Sequence, residues 1–166
     1  ITANRPDCQS VIGIAREVAA ALNKPFKAPD MSYTEDGTVN ENISITVLDQ
    51  ELCPRYLGHY IYDVKNMESP LWMKRRLIAV GHNAINAMVD ITNYVLVEMG
   101  QPMHAFDLND LEGAGIVVRR AEEGERLVTL DEKERILNPN NLLICDKVKP
   151  VGLAGVMGGL NSGIKD

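Results

Sequence analysis

The sequence has little of what marks a metal protein, a disulfide-rich secreted protein or a membrane protein. Its three cysteines, Cys8, Cys53 and Cys145, lie far apart and show neither CxxC spacing nor a neighbouring pair of histidines. We therefore expect neither a disulfide framework nor a zinc site. The apolar runs are only a few residues long, whereas a membrane-spanning helix needs about 20. No signal-peptide pattern is present at the start, so we expect a cytoplasmic protein.

Basic residues are also fewer than acidic residues. The 166 residues include 17 Lys and Arg against 23 Asp and Glu, a net charge of −6. A protein that grips nucleic acid over a wide surface usually carries a basic stripe, so this chain is not expected to bind nucleic acid by itself. The one short basic run, residues 74–76, falls in a helical pattern and is interpreted as a solvated helix face.

The size and the 45% hydrophobic content suit a protein that buries its own core. We found no repeat and no long linker, and so predict one domain over residues 1–166. A start without Met at Ile1, and a stop at Asp166, lead us to expect a piece of a longer chain.

Hydrophobic periodicity predicts three helices. The first has Pro6 in its opening turn and stops at residues 23–25. The second opens at Ser69 and Pro70 and is closed by Gly81. The third covers residues 85–99 and ends at Gly100.

Alternating apolar residues predict short strands. The two strands before the second helix are expected at residues 43–47 and 56–64, after a polar surface connection over residues 26–42. The later strands are expected at 115–121, 126–130, 133–137, 142–145 and 150–153, with a hairpin turn at Asp131 and Glu132. This order predicts an α+β fold, with mixed, mainly antiparallel sheets and three main helices packed against them.

No common catalytic motif occurs: GxSxG, HExxH and the GxxxxGK[ST] phosphate loop are all absent. Three segments remain as candidates for chemistry. His104 lies on a loop just past a helix end, beside a rigid proline, whereas His59 and His82 are interpreted as packing or surface residues. Asn93 lies among polar residues inside an apolar helix, where it needs a hydrogen-bonding partner. The glycine-rich stretch 152–159 is either a tight turn or a floor on which a substrate approaches the backbone.

These segments, taken with several others, resemble the editing region of the beta chain of bacterial phenylalanyl-tRNA synthetases. The resemblance rests on six strings in the same order, which cover nearly the whole chain. They are NRPDC (4–8), GIARE (13–17), CPRYLG (53–58), VDITNYV (89–95), GQPMHAFD (100–107) and LAGVMGG (153–159).

The resemblance implies hydrolysis of tyrosine wrongly attached to the phenylalanine tRNA. It places His104 and Asn93 as catalytic residues beside the terminal adenosine and the scissile ester. Pro102 would form part of the wall of the site next to them. Met157 and Gly158 would line the amino-acid pocket. The family also implies an alpha chain as partner in a heterotetramer of two alpha and two beta chains, and a parent enzyme that uses ATP and magnesium. We expect no cofactor in this part.

Two features qualify what the resemblance implies. Family members usually have Arg-Pro where this chain has Asn83 and Ala84. The acidic residue with which the family recognises the tyrosine hydroxyl lies downstream of Asp166. We therefore expect a partial tRNA-editing domain that lacks its C-terminal part and is inactive in isolation. The alternative is a structural module that binds the tRNA acceptor end, with weak or lost editing.

Overall fold

A computed structural model describes residues 1–34, 43–65 and 67–164. The chain divides into two compact units, Ile1–Asp36 with Lys65–Ala105 and Gly37–Val64 with Phe106–Asp166. We name them the helical unit and the sheet unit. The second half of the predicted surface connection, residues 35–42, lies outside the described residues, and the expectation of a single domain stays a prediction.

The helical unit begins with a short 3-10 turn, Pro6–Gln9, followed by α1, Val11–Ala21. Pro6 therefore opens a turn of its own, and not α1 as the sequence predicted. Ser10 lies between the two elements. Its hydroxyl oxygen accepts a hydrogen bond from the Gly13 N–H and so caps α1. Gly13 is required here: a Cβ atom at this position would lie 1.7 Å from the carbonyl oxygen of Asp7.

The second predicted helix is α2, Leu71–Ala79, and the third is α3, Ala87–Met99. Gly81 and Gly100 follow the two helices with φ of +88° and +75°, which fits their predicted role as stops. Ser69 does not cap α2, because its hydroxyl donates instead to the buried Asp90 of α3. Helices α1 and α2 each pack against α3.

The sheet unit contains a five-stranded sheet in the order β1-β2-β5-β6-β7 and a two-stranded hairpin, β3-β4. The strands are β1 Ser44–Val47, β2 Gly115–Arg120, β3 Arg126–Val128, β4 Glu134–Ile136, β5 Leu142–Cys145, β6 Pro150–Leu153 and β7 Met157–Gly158. Only β1 and β2 are parallel; the other pairs are antiparallel. The predicted α+β class with mixed, mainly antiparallel sheets is confirmed.

Two clusters of buried side chains form the core of the sheet unit. Leu127, Leu137, Leu143 and Cys145 belong to the first cluster. Leu111, Ile116, Val118 and Val151 belong to the second. At the edge of the first, the guanidinium of Arg119 binds both carboxylate oxygens of Glu125, at 2.8 and 2.7 Å.

The strand predicted at residues 56–64 is wrong. All nine residues are described, and none belongs to a strand. Tyr56 packs against the second core cluster, whereas Tyr60 and Tyr62 are exposed. Asp63 has a φ of +55°, which interrupts extended backbone. Alternation alone produced the prediction, but a strand also needs a hydrogen-bonded neighbour.

Candidate functional site

Asn93 lies in the middle of α3 and is half-buried. The helix is capped by the preceding Asn86, whose side-chain oxygen accepts from the Val89 N–H at 3.0 Å. Thr92, one residue before Asn93, donates its hydroxyl hydrogen to the Val89 carbonyl at 2.8 Å. The expectation that polar residues inside this helix have specific partners is therefore confirmed for Thr92, and its partner is backbone.

The buried carboxylate of Asp90 links the segments around Asn93 by hydrogen bonds. Asp90 is fully buried. One of its oxygens accepts from the Ser69 hydroxyl at 2.5 Å, and the other accepts from the Ile85 N–H at 2.8 Å. The carboxylate thus joins the segment before α2, the loop between α2 and α3, and the first turn of α3. This role of Asp90 was not predicted, although an acidic residue on an apolar helix is a signal for it.

Pro102 and His104 lie on the irregular segment that follows α3. Its direction is set at Gly100, whose left-handed conformation ends the helix while its N–H still donates to the Leu96 carbonyl at 2.9 Å. Pro102 contributes to the rim of a cavity of about 640 Å³ within the helical unit, which Ser10, Ile14 and Leu96 also line. Asn93 and His104 are not among the lining residues of this cavity.

The imidazole of His104 favours its neutral form. The side chain is exposed by surface area, yet the protein around it withdraws enough water to lower the pKa of His104 below the ordinary 6.5. At neutral pH the ring therefore has one nitrogen that can accept a hydrogen bond and one that can donate. Such a group can orient a water molecule or accept its proton.

Met157 and Gly158 form β7, at one edge of the five-stranded sheet. Gly158 pairs with Gly152 of β6, and the Gly158 carbonyl accepts from the Leu130 N–H at 3.0 Å. At Gly159 a Cβ atom would lie 2.8 Å from the Val151 carbonyl oxygen, so this position takes no side chain. The stretch 152–159 is therefore a tight hairpin, as the first of its two interpretations predicted; its role as a substrate floor stays a prediction.

The hairpin lies among exposed apolar side chains. Val128, Leu130, Met157 and Leu160 are each between 36% and 52% exposed. Their segments are adjacent, because Leu160 N–H donates to the Val128 carbonyl and Leu130 N–H donates to the Gly158 carbonyl. The surface beside Gly158 is thus apolar enough to receive an apolar or aromatic group.

The structure divides the five predicted site residues between the units. Asn93, Pro102 and His104 belong to the helical unit, and Met157 and Gly158 belong to the sheet unit. Of the remaining histidines, His59 is exposed outside any strand and His82 lines the cavity of the helical unit. Among the described residues, no group of three or more His, Cys, Asp or Glu could hold a metal ion.

Sequence reasoning also missed an aromatic and cationic cluster on α2 and α3. Arg76 lies over the ring of Trp72 and donates a hydrogen bond to the hydroxyl of Tyr94. The run Lys74-Arg75-Arg76 was interpreted only as a solvated helix face. The spacing of Trp72 and Arg76 by four residues was the available signal, since it places both on one face of a helix.

No helix among the described residues is both long and apolar enough to cross a membrane.

Comparison with known proteins gives a consistent result over the whole chain. The B3/4 domain family matches residues 52–166, a stretch that contains all five predicted site residues. The phenylalanine–tRNA ligase beta subunit of Syntrophus aciditrophicus is 54% identical over 99% of this chain, and that of Geobacter sulfurreducens is 50% identical over 100%. The beta subunit of Thermotoga maritima is 45% identical over the same share. The chain spans about a fifth (21%) of the length of each of these relatives. It therefore belongs to the B3/4 domain family, in the form found in phenylalanine–tRNA ligase beta subunits.

Proposed function

We propose that this chain is part of the editing region of a phenylalanine–tRNA ligase beta subunit, and that it takes part in hydrolysing tyrosine attached to the phenylalanine tRNA. The proposal rests on the set of candidate residues inside the B3/4 match, with His104 on an irregular loop where loss of surrounding water lowers its pKa. The relatives' names support the parent enzyme. The specificity for tyrosine rests on the family resemblance.

Editing meets a physical need. Tyrosine differs from phenylalanine by one hydroxyl, and an apolar synthetic pocket rejects such an analogue by only about two orders of magnitude. A second site that hydrogen-bonds the hydroxyl reverses this preference, because bound phenylalanine would leave a buried polar group of the protein unpaired. The exposed apolar surface beside Gly158 suits the ring of such an amino acid.

The proposed reaction is ester hydrolysis. Water attacks the carbonyl carbon, the bond between that carbon and the ribose oxygen breaks, and tyrosine and the free terminal hydroxyl of the tRNA are released. We assign His104 the orientation of the attacking water, through the acceptor nitrogen of its neutral ring. Asn93 offers an amide that can donate to an ester or ribose oxygen and accept from a hydroxyl.

The longer protein completes this activity. We propose that it pairs with an alpha chain in a heterotetramer of two alpha and two beta chains, binds the phenylalanine tRNA, and charges it with phenylalanine at another site that uses ATP and magnesium. On this proposal the present chain is a partial editing domain. Its isolated form should show no deacylase activity.

The main test uses the full heterotetramer. His104→Ala should slow hydrolysis of Tyr-tRNA by about 10²-fold or more, as is typical when a positioned acid–base group is lost. Gly158→Trp should abolish it by filling the proposed pocket. His59→Ala is the matched control, since His59 is exposed and lies outside the proposed site residues. Charging with phenylalanine should be unchanged in all three variants, and wild-type hydrolysis in both site variants would overturn the proposal.

A second function has one observation in its favour. The loop between α2 and α3 carries an exposed Asn83 and a half-buried Ala84 where the family resemblance implies Arg-Pro. The same loop is held by the hydrogen bond from the Ile85 N–H to Asp90, and on this resemblance it lacks a cation that could face RNA. This combination fits a module that binds the tRNA acceptor end with weak or lost editing. Replacing Asn83 by Arg should then raise Tyr-tRNA hydrolysis above the wild-type rate, whereas an unchanged rate would contradict this alternative.

A further inference from the structure

Helices α2 and α3 hold three side chains in a compact cluster that the editing residues do not use. The rings of Trp72 and Tyr94 meet edge to face, with centroids 5.4 Å apart and an interplanar angle of 89°. The guanidinium carbon of Arg76 lies 5.3 Å from the centroid of Trp72 and 6.0 Å from that of Tyr94. These separations are those of favourable aromatic and cation–π contacts.

Hydrogen bonds fix the orientation of this cluster. Arg76 donates to the Tyr94 hydroxyl at 2.5 Å, and that hydroxyl donates to the Glu98 carboxylate at 3.1 Å. Despite these contacts Trp72 keeps 50% of its surface exposed, and Arg76 is exposed as well. An indole ring is thus presented to solvent in a fixed position beside a cation, at little further cost in conformational entropy on binding.

The charge on α2 favours a polyanionic partner. The helix carries Lys74, Arg75 and Arg76 and no acidic residue. Lys74 forms an ion pair with Glu68 at 2.8 Å, and Arg76 bonds to the uncharged hydroxyl of Tyr94. The Tyr94 hydroxyl donates in turn to the carboxylate of Glu98, so an acidic group lies close to Arg76. On a chain of net charge −6, this helix is a local exception.

We propose that Trp72 and Arg76 form a stacking platform for an unpaired nucleotide of the tRNA acceptor end, with Arg75 toward its phosphate. Proteins recognise single-stranded nucleic acid by stacking bases on aromatic side chains and arginine planes, beside cations that meet the backbone. Tyr94, which anchors the platform, is the next residue after Asn93, so one helix carries both. The inference rests on the proposed function and extends it by naming residues that bind the single-stranded end.

The experiment measures equilibrium binding of uncharged tRNA to the full heterotetramer. Two tRNAs are compared, one intact and one lacking its single-stranded terminal nucleotides. Trp72→Leu should weaken binding of the intact tRNA by about tenfold, the typical effect of losing one stacked base. It should leave the shortened tRNA unaffected, and Trp72→Phe should restore most of the affinity because a π face is kept.

Two matched variants make the result specific. Ile78→Ala removes another exposed apolar side chain of α2, 61% exposed, and should change neither affinity. Arg75→Gln should reduce by about one the slope of log affinity against log salt for the intact tRNA, as expected for one lost phosphate contact. Arg75 is exposed, so its replacement should leave the fold intact in this second measurement.

Three results would overturn the platform. The first is an unchanged affinity of Trp72→Leu for the intact tRNA, and the second is an equal loss of affinity for both tRNAs. The third is a Trp72→Leu enzyme whose subunits dissociate while its tRNA affinity is retained, which would assign Trp72 to a protein interface. Failure of the platform is separable from failure of the proposed function. If Gly158→Trp abolishes Tyr-tRNA hydrolysis while Trp72→Leu binds tRNA normally, the editing proposal stands and the platform is wrong. If Gly158→Trp leaves hydrolysis unchanged while Trp72→Leu weakens binding of the intact tRNA, the platform stands and the editing proposal is wrong.

Discussion

The helical unit and the sheet unit are stabilised in different ways. The sheet unit buries most of the apolar core, in two clusters behind its strands. Its buried apolar residues are Leu111, Ile116, Val118, Ala121, Leu127, Leu137, Leu143, Cys145 and Val151, whereas those of the helical unit are Cys8, Ile12, Met73 and Leu77. The sheet unit therefore depends mainly on the burial of apolar surface.

The helical unit combines its few buried apolar side chains with specific polar contacts and close backbone packing. Ser10 and Asn86 cap α1 and α3, and the Asp90 carboxylate joins three segments. Meanwhile the apolar stripe that predicted α1 lies largely in solvent, with Val11, Ile14, Val18 and Leu22 between 42% and 64% exposed. Apolar periodicity therefore identified the helix correctly but did not identify what its apolar face contacts.

The largest expected effect is on the core of the sheet unit. Leu143→Ala removes a side chain that is fully buried, so we expect the free energy of opening of the β5 and β6 amides to fall by about 2–5 kcal/mol. Native-state hydrogen exchange measures this value residue by residue. Leu57→Ala is the control, because Leu57 is 67% exposed and should change stability by less than about 0.5 kcal/mol. Equal effects of the two variants would remove the distinction between a buried core and an exposed surface in this unit.

A smaller effect is expected from a tight backbone contact in the helical unit. Gly13→Ala places a methyl group against the Asp7 carbonyl, so α1 or the 3-10 turn must shift, at a cost of about 1–3 kcal/mol. Amides of α1 should lose protection from hydrogen exchange. Gly163→Ala introduces the same methyl group where no atom lies within 4 Å, and should be nearly neutral. Normal protection of α1 in Gly13→Ala would show that close packing does not support the helical unit.

The smallest effect concerns the titration of His104. Loss of surrounding water lowers the pKa of this imidazole, so its neutral form persists to pH values below 6.5 and the proposed activity should be lost only as the pH falls through the lowered pKa. We expect the acid limb of the enzymatic rate of Tyr-tRNA hydrolysis to lie below pH 6.5 in a series between about pH 5 and pH 8. The limb should be absent from the residual rate of His104→Gln. A limb centred above pH 6.5 would contradict the described surroundings of His104.

Much of the fold could be predicted from local pattern. The bounds of β5 and β6 agree with the prediction residue for residue, because both strands combine apolar runs with clear turn residues. The end of α3 at Gly100 was equally clear, since few other residues adopt its left-handed conformation without strain. The two-residue strand β7 was missed because it is too short to show alternation.

The candidate site was predictable only through the family resemblance. Composition and periodicity singled out His104, Asn93 and the glycine-rich stretch but left their roles open. Asp90 was not recognised because its partners, Ser69 and Ile85, are 21 and 5 residues away, and no local rule connects them. The neutral state of His104 also depends on surrounding atoms that the sequence does not place.

The α+β class, the approximate positions of most elements and the family follow from the sequence alone, because each of these depends on local pattern or on strings of identical residues. Only the folded chain shows that Ser69 binds Asp90 and leaves α2 uncapped, that residues 56–64 have no strand partner, and that Arg76 bonds to the hydroxyl of Tyr94. The physical reason is common to all three. Hydrogen bonds and ring contacts depend on distance in space, which folding sets between residues that are far apart in the chain.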